Sequence, residues 1–313
     1  MQALHSLQIA MTVQTVFLTN PASGRKGLAA QLDQWVAQAY HDASDTVMIV
    51  PIEFPRLAQQ LDELEAQGVR NFYAVGGDGT VNAVGALLVH KPVNFGVIPT
   101  GSGNGFARNL GFSTKPALAL RQTREARPLP VDTATLNDQV FLNIAGVGLA
   151  AEVAHAYART RKRGFFPYIK KSAQQFLHYK AQPYELLLDG NSVPLPDMLG
   201  IEVANGRQWG YEAQAAPIAS MRDGLLDIVL IRSIPLYAIP DVVRRLFTGR
   251  FARSNRVETR QAAHIVIRRS ADGPAQIDGE AIDSPAEITI KIQPKSLNLL
   301  IPNTLTDEKV RSL

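Results

Sequence analysis

The chain has no cysteine among its 313 residues. That excludes disulfides and thiolate chemistry, and it fits a reducing compartment. No apolar run approaches the roughly 18 to 20 residues needed to span a bilayer. The first twenty residues, MQALHSLQIAMTVQTVFLTN, lack the basic start and small-residue cleavage site of a secretion signal. A cytoplasmic location is the expectation. Acid is missing from the whole interval between Glu152 and Glu185, which carries Arg159, Arg161, Lys162, Arg163, Lys170, Lys171 and Lys180. A second basic stretch holds Arg244, Arg245, Arg250, Arg253, Arg256 and Arg260, although the net charge is only +4. Local patches of this kind favour polyanions or an anionic membrane surface. The six histidines form no pair at metal-ligand spacing, no recognised nucleic-acid module accompanies the basic patches, and there is no internal repeat.

What is present describes a globular protein: 46% hydrophobic and 19% charged residues, in a chain long enough for two domains. The stretch FYAVGGDGTVNAVGALLV, Phe72 to Val89, reads as strand, glycine turn and helix. Adjacent glycines let a backbone approach a ligand with no Cβ in the way, and the helix that follows offers unpaired N–H groups and a positive dipole end to an anion. Asp78 places a carboxylate beside that phosphate-like site. The same alternation recurs around it. Val13 to Thr19, Thr46 to Pro51 and Phe95 to Pro99 read as further strands; Leu28 to Tyr40 and Pro55 to Gln67 read as helices with apolar residues at helical spacing. Such alternation implies a parallel sheet covered by helices, with ligands at the carboxyl ends of the strands. Three loops, 20–24, 76–80 and 100–105, each follow a strand, so they fall on one edge of that sheet. None is a P-loop, since no GxxxxGKS/T occurs, and GSGNG fails the GxGxxG spacing of a dinucleotide fold.

After Arg127-Pro128-Leu129-Pro130 the texture changes to short strands, with Asp189-Gly190-Asn191 as a hairpin turn. Two helices interrupt, 148–179 with a break near Gly164 and Pro167, and 236–247. Many strands and few helices predict an antiparallel β-sandwich. The expected division is therefore a nucleotide-binding α/β domain over 1–131 and a β-sandwich over 132–295, with 296–313 returning to the first domain. RTRKRGFFPYIKKS sets aromatics among basic residues, a composition suited to peripheral contact with anionic lipid. The oligomeric state has no sequence signature, and a homodimer stays open.

Seven segments taken together resemble the diacylglycerol kinase catalytic family, which includes bacterial lipid kinases and sphingosine kinases. They are NPASG (20–24), GGDGTVNAV (76–84), PTGSGNGFARNLG (99–111), LNIAGVGLAAEV (142–153), ANGRQWG (204–210), DGLLDIV (223–229) and IDGE (277–280), in the family order and over nearly the whole chain. The resemblance implies an N-terminal α/β domain like that of NAD kinases, a β-sandwich after it, and an active site in the cleft between them. It implies transfer of the ATP γ-phosphoryl group to a lipid hydroxyl, with Mg2+. Acceptors would be diacylglycerol, a sphingoid base or a related lipid alcohol. The alternatives are an NAD or sugar kinase sharing the GGDGT turn, or a catalytically silent lipid-binding regulator.

By the same resemblance, Asn20, Ser23, Gly24, Thr100, Ser102 and Asn104 line the ATP site together with the backbone of Gly76, Gly77, Gly79 and Thr80. Asp278 of IDGE is the expected general base and Glu280 stands near Mg2+ or the phosphates; Asp78 competes for the base role. Read without the family, Asp278-Gly279 is a hairpin turn. Glu152 falls where relatives place an acid against the lipid head group. Asp223 would be the ligand of a structural Mg2+, with Arg222 standing where bacterial relatives carry a second acid. Gly105 replaces the aspartate of many diacylglycerol kinases and is closer to the sphingosine-kinase pattern.

Overall fold

The computed structural model describes residues 13–20, 28–41, 46–101, 103–160, 164–210, 213–306, 310 and 313. Ser23, Gly24 and Ser102, and the basic residues Arg161, Lys162 and Arg163, lie outside them.

The first part of the chain alternates strand and helix: β1 (Thr15–Thr19), α1 (Leu28–Ala39), β2 (Val47–Pro51), α2 (Leu57–Ala66), β3 (Asn71–Gly76), α3 (Asp78–Leu88) and β4 (Asn94–Pro99). Two short helices, α4 (Gly105–Asn109) and α5 (Pro116–Thr123), complete it. β2, β1, β3 and β4 lie side by side and parallel. Their continuous apolar runs reflect burial on both faces: Phe17, Phe72 and Phe95 are fully enclosed in one core cluster with residues of α1, α2 and α3.

The second part is mainly strands. It runs through β5 (Arg127–Leu136), β6 (Gln139–Phe141), β7 (Ile144–Gly148), the helices α6 (Leu149–Ala158) and α7 (Phe165–His178), β8 (Glu185–Leu188) and β9 (Asn191–Val193). It continues with β10 (Met198–Ala204), β11 (Gln208–Gly210), β12 (Ala213–Gln214), β13 (Leu226–Arg232), α8 (Ile239–Phe247), β14 (Val257–Ala262) and β15 (His264–Arg268). The last three strands are β16 (Gly273–Ile277), β17 (Glu280–Ser284) and β18 (Glu287–Ile301). Six strands form one layer in the order β14-β13-β10-β7-β16-β17. The facing layer is not separate from the first domain. A single ten-stranded sheet runs β2-β1-β3-β4-β18-β15-β8-β9, with β5 and β6 attached through β18. The architecture is thus an N-terminal α/β domain with a parallel sheet and a C-terminal β-sandwich.

The fifteen-residue β18 joins them. Asn298 and Leu299 pair in parallel with β4, while Glu287 to Lys291 pair antiparallel with β15. β5 follows it along most of its length, with a register shift between Gln293 and Leu297. Two apolar stretches, 287–292 and 297–301, are therefore one strand despite the polar residues between them. At the shift, Lys295 takes a left-handed φ of 50°, and Asp132 clamps the irregularity. Its carboxylate, 1% exposed, accepts the N–H of Lys295 at 2.7 Å and of Gly224 at 2.9 Å. Asp132→Ala would take the partner from both N–H groups, and because Lys295 is exposed and Gly224 half-buried, water replaces part of what is lost, for a cost of about 1 to 3 kcal/mol. Urea unfolding should register that loss as a lowered midpoint; a change below about 1 kcal/mol would mean the clamp carries no stability.

The helical stretch 148–179 breaks at Gly164, whose φ is 120°. Pro167 does not break it but lies in the first turn of α7, where its missing N–H costs nothing.

Candidate active site

β1, β3 and β4 end together, so Asn20 at the end of β1 meets the loops after the other two. Thr100 N–H donates to Gly76 O at 2.9 Å, and Asn20 Nδ2 donates to Thr80 Oγ1 at 2.9 Å. The glycines permit a closer approach than any other residue would. A Cβ on Gly101 would lie 2.5 Å from the Gly77 Cα, so the second and third loops pack backbone on backbone. Asn104, with φ 50°, locks the third loop from within: its Oδ1 accepts the Gly101 N–H at 3.0 Å and its Nδ2 donates to Gly101 O at 2.8 Å. Thr100 Oγ1 is buried with no hydrogen-bond partner. A hydroxyl in that state is available to a ligand group.

Asp78 opens α3 and turns its Oδ1 to the Phe106 N–H at 3.3 Å. Asn82 stands four residues on, on the same helix face, and donates to Asp278 Oδ2 at 2.7 Å. Asp278 comes from the other domain. It and Gly279 are the two turn residues between β16 and β17, with φ of 50° and 87°, the left-handed pair that a type I′ hairpin requires. The turn reading of IDGE holds, and it does not compete with a site reading, because the hairpin carries the carboxylate to the domain boundary. Its oxygens are caught in a backbone cradle. Leu142 N–H donates to Oδ2, and the N–H groups of Asn143 and Ile144 to Oδ1, each at 2.9 Å. Glu280 follows, and its carboxylate lies over the second loop; a Cβ on Gly79 would sit 2.9 Å from Oε1.

The two aspartates line one enclosed cavity of about 10 Å3, together with Val81, Phe106, Leu142, Asn143 and Trp209. Burial pushes the Asp278 carboxyl above its ordinary value, while the four donors pull it down. Burial also raises Asp78, against the N–H groups of Phe106, Gly105 and Asn104, and the Asp278 charge adds to the rise. A larger cavity of about 520 Å3 lies at the opposite, amino edge of the parallel sheet, between Thr15, Asn71, Asn94 and Thr123. Parallel sheets bind ligands at the carboxyl edge, and the carboxylates and glycine loops are there.

Two expected site residues do not line the aspartate cavity. Glu152 lies in the first turn of α6, beyond the Gly148 end of β7, whereas the Asp278 cradle includes Ile144 at its start. Glu152 is instead close enough to Tyr179, Tyr184 and Arg269 for their charges to interact. Asp223 folds its Oδ1 onto the Leu225 N–H at 3.0 Å, closing its own turn, and Arg222 reaches Val310 O. Its acidic neighbour Asp227 is buried, which pushes it up to about 6. Among the described residues no group of three His, Cys, Asp or Glu side chains that could hold a metal ion includes Asp223.

Other residues belong to the site without having been singled out by sequence. Asn82 carries a signal, since it lies one turn after Asp78 in GGDGTVN. The N–H groups of Leu142, Asn143 and Ile144 carry none, because any side chain leaves a backbone donor in place. Behind the cradle, Glu202, Gly146 and Gln276 form a row across β10, β7 and β16. Gly146 lacks the Cβ that would lie 2.3 Å from Glu202 Oε2, so the glutamate crosses it to accept from Gln276 Nε2 at 2.8 Å. Gln276 Oε1 in turn accepts the Gly279 N–H at 2.9 Å. The catalytic-looking hairpin is thereby tied to a fully buried carboxyl.

An α/β domain with glycine loops at the carboxyl edge of its sheet, closed by a sandwich hairpin bearing carboxylates, defines a two-domain kinase of the NAD-kinase-like type. The chain matches the model of the diacylglycerol kinase catalytic domain over residues 14–136 and that of the YegS C-terminal NAD kinase beta sandwich-like domain over 143–301. It belongs to the diacylglycerol kinase family of lipid kinases. It is 36% identical over 188 residues to a Chromohalobacter salexigens protein named "Probable lipid kinase YegS-like", covering 56% of this chain and spanning 58% of that protein's length. It is 27% identical over 293 residues to a Mycobacterium tuberculosis protein named "Diacylglycerol kinase", covering 91% of this chain and 94% of that one. A solved diacylglycerol kinase from Bacillus anthracis shares the fold with a TM-score of 0.71 at 21% identity, over 94% of this chain and 98% of that chain.

Proposed function

We propose that this protein is an ATP-dependent lipid kinase that transfers the γ-phosphoryl group to the hydroxyl of diacylglycerol, a sphingoid base or a similar lipid. The observation that carries the reading is the meeting of two buried aspartates from different domains at one cavity, the first of them in the glycine loop between β3 and α3. We take the domains as 1–131 with 296–313, and 132–295.

Phosphoryl transfer needs positioning and neutralised charge more than covalent chemistry. The phosphates of ATP lie against the N–H groups of Gly77, Gly79 and Thr80 at the start of α3, where the helix dipole favours an anion. Asn20, Ser23, Gly24, Gly76, Thr100, Ser102 and Asn104 complete the walls, with the Thr100 hydroxyl as a donor. Asp78 and Glu280 are the carboxylates that would hold a Mg2+ ion beside the phosphates, where it would supply neutralisation of the phosphate charge. Asp278 is the base. Four donors fill the lone-pair positions of its carboxylate, and only Asn82 gives a side-chain donor, the one free to turn aside. The lipid hydroxyl takes that place, Asp278 receives its proton, the lipid oxygen bonds to the γ-phosphorus, and the bond to ADP breaks. Water later takes the proton from Asp278. Glu152 would face the lipid further along the cleft.

A family of lipid kinases implies a lipid acceptor, and among the described residues no helix is long and apolar enough to cross a membrane. We place the protein in the cytoplasm, peripheral to the membrane. Its ATP turnover should rise many-fold on addition of vesicles containing diacylglycerol or a sphingoid base. Turnover that is indifferent to lipid, or that follows added NAD instead, would remove this reading.

A further inference from the structure

The large apolar side chains left in solvent are not scattered. Of the eleven exposed ones among the described residues, seven lie on two helical segments. α7 carries Phe166, Ile169 and Leu177, spaced along one face, with Phe166 83% exposed. The 3-10 turn Leu236–Ala238 and α8 carry Leu236, Tyr237, Val243 and Phe247, with Tyr237 82% exposed.

Both segments cover the same layer. On β10 and β13, side chains alternate between the sandwich interior and the outer face: Ile228 and Leu230 point in, Val229 and Ile231 out. The outer cluster receives Phe176 and Tyr179 from α7, and Val242 and Leu246 from α8. Trp209, which lines the aspartate cavity, packs on this cluster too. α8 is apolar over a wider arc than the sheet needs. Val242 is buried while its neighbour Val243 is 45% exposed, and Phe247 lies one turn beyond Val243. That excess apolar arc has no partner among the described residues.

The charge beside it has one sign. From Leu236 to Arg256 the chain holds five arginines and one acid, Asp241, and that acid is already paired, with Arg244 at 2.8 Å and Arg245 at 2.5 Å. α7 has Lys170 and Lys171 and no acid. An apolar stripe flanked by cations fits an interfacial position on anionic lipid.

We infer that the 236–247 segment and α7 together form the face by which this protein lies on an anionic membrane, beside the mouth of its lipid site. This rests on the lipid-kinase reading for its purpose, but not for its test. The occupant is a bilayer surface, because a second copy of this chain would set five arginines against five arginines.

The test is co-sedimentation of the full chain with phosphatidylcholine vesicles, with and without phosphatidylglycerol. Binding should need phosphatidylglycerol and weaken as salt rises. The double variant Leu236→Ser with Tyr237→Ser should bind such vesicles about tenfold less tightly. It should keep its melting temperature and its activity on a short-chain, water-soluble diacylglycerol, because neither side chain touches the cleft. Undiminished vesicle binding by the variant overturns the inference. So does loss of a dimer, seen by light scattering, with no change in vesicle binding. If no lipid is phosphorylated but the variant still loses vesicle binding, the kinase reading fails and the docking face stands.

Discussion

Asp278→Asn should lower turnover about a thousandfold or more, the loss expected when a general base is removed from a positioned site. Asparagine is tolerated at a φ of 50°, so the hairpin can still form. The amide, however, offers two hydrogens where Asp278 has an oxygen facing N–H groups. Part of the cradle is then unmade, at a local cost of about 2 to 3 kcal/mol, which is smaller than the stability of a typical domain. Circular dichroism should therefore show a folded, somewhat less stable protein. Asp78→Asn separates the two aspartates. If Asp78 serves the nucleotide, its loss raises the KM for ATP as well as lowering turnover. Near-normal turnover in Asp278→Asn, with turnover abolished in Asp78→Asn, would move the base role to Asp78. Burial raises both carboxyls, and a base must be ionised to act. The acid limb of the pH profile should consequently lie above the ordinary aspartate range of about 4.

Glu202→Gln should remove much of the pH dependence of stability that the wild type carries. Burial pushes the Glu202 carboxyl up to about 8, with Gln276 and Trp209 pulling the other way. Oε1 and the Trp209 indole N–H both lack a well-formed hydrogen bond, so neither restrains the rise strongly. A carboxyl whose pKa is raised on folding holds its proton in the native state after the unfolded chain has released it. Native stability then falls as pH rises from the unfolded value near 4.3 to about 8, and levels beyond. The full swing is on the order of 4 to 5 kcal/mol, about 3 to 4 of it already lost at pH 7. Glutamine is neutral throughout and can still accept from Gln276, so it removes the Glu202 slope. Urea midpoints at pH 5 and pH 8 should diverge much more for the wild type than for the variant, which keeps only the smaller slope from the raised Asp78, Asp227 and Asp278. That leaves the variant the more stable of the two at pH 8. Parallel profiles would mean that Glu202 is already ionised in the native state.

The alternation of strand and helix, the glycine loops and the division into an α/β half and a β half were all legible, because each rests on local chemistry that short segments carry. Asp278-Gly279 was legible as a turn, and the hairpin it makes carries the carboxylate that the proposed function uses. Other features depend on chain separation that local reading does not reach. β18 looked like two pieces because its apolar pattern lapses around Pro294, Lys295 and Ser296, where it shifts register and crosses from one domain to the other. The Glu202, Gly146 and Gln276 row draws on three strands that are far apart in sequence and adjacent only in the sheet. Asp132 reads as an ordinary residue after the proline stretch, and only folding brings Lys295 and Gly224 to it. β14 was hidden by its charges: Arg260 and Gln261 mark an edge strand with one wet face.

Mass spectrometry of a lipid extract incubated with the protein, ATP and Mg2+ tests the central claim most directly. A lipid alcohol should reappear as its phosphate monoester, dependent on ATP and lost in Asp278→Asn. An extract unchanged in every lipid class, from a protein that still binds ATP tightly, would contradict it.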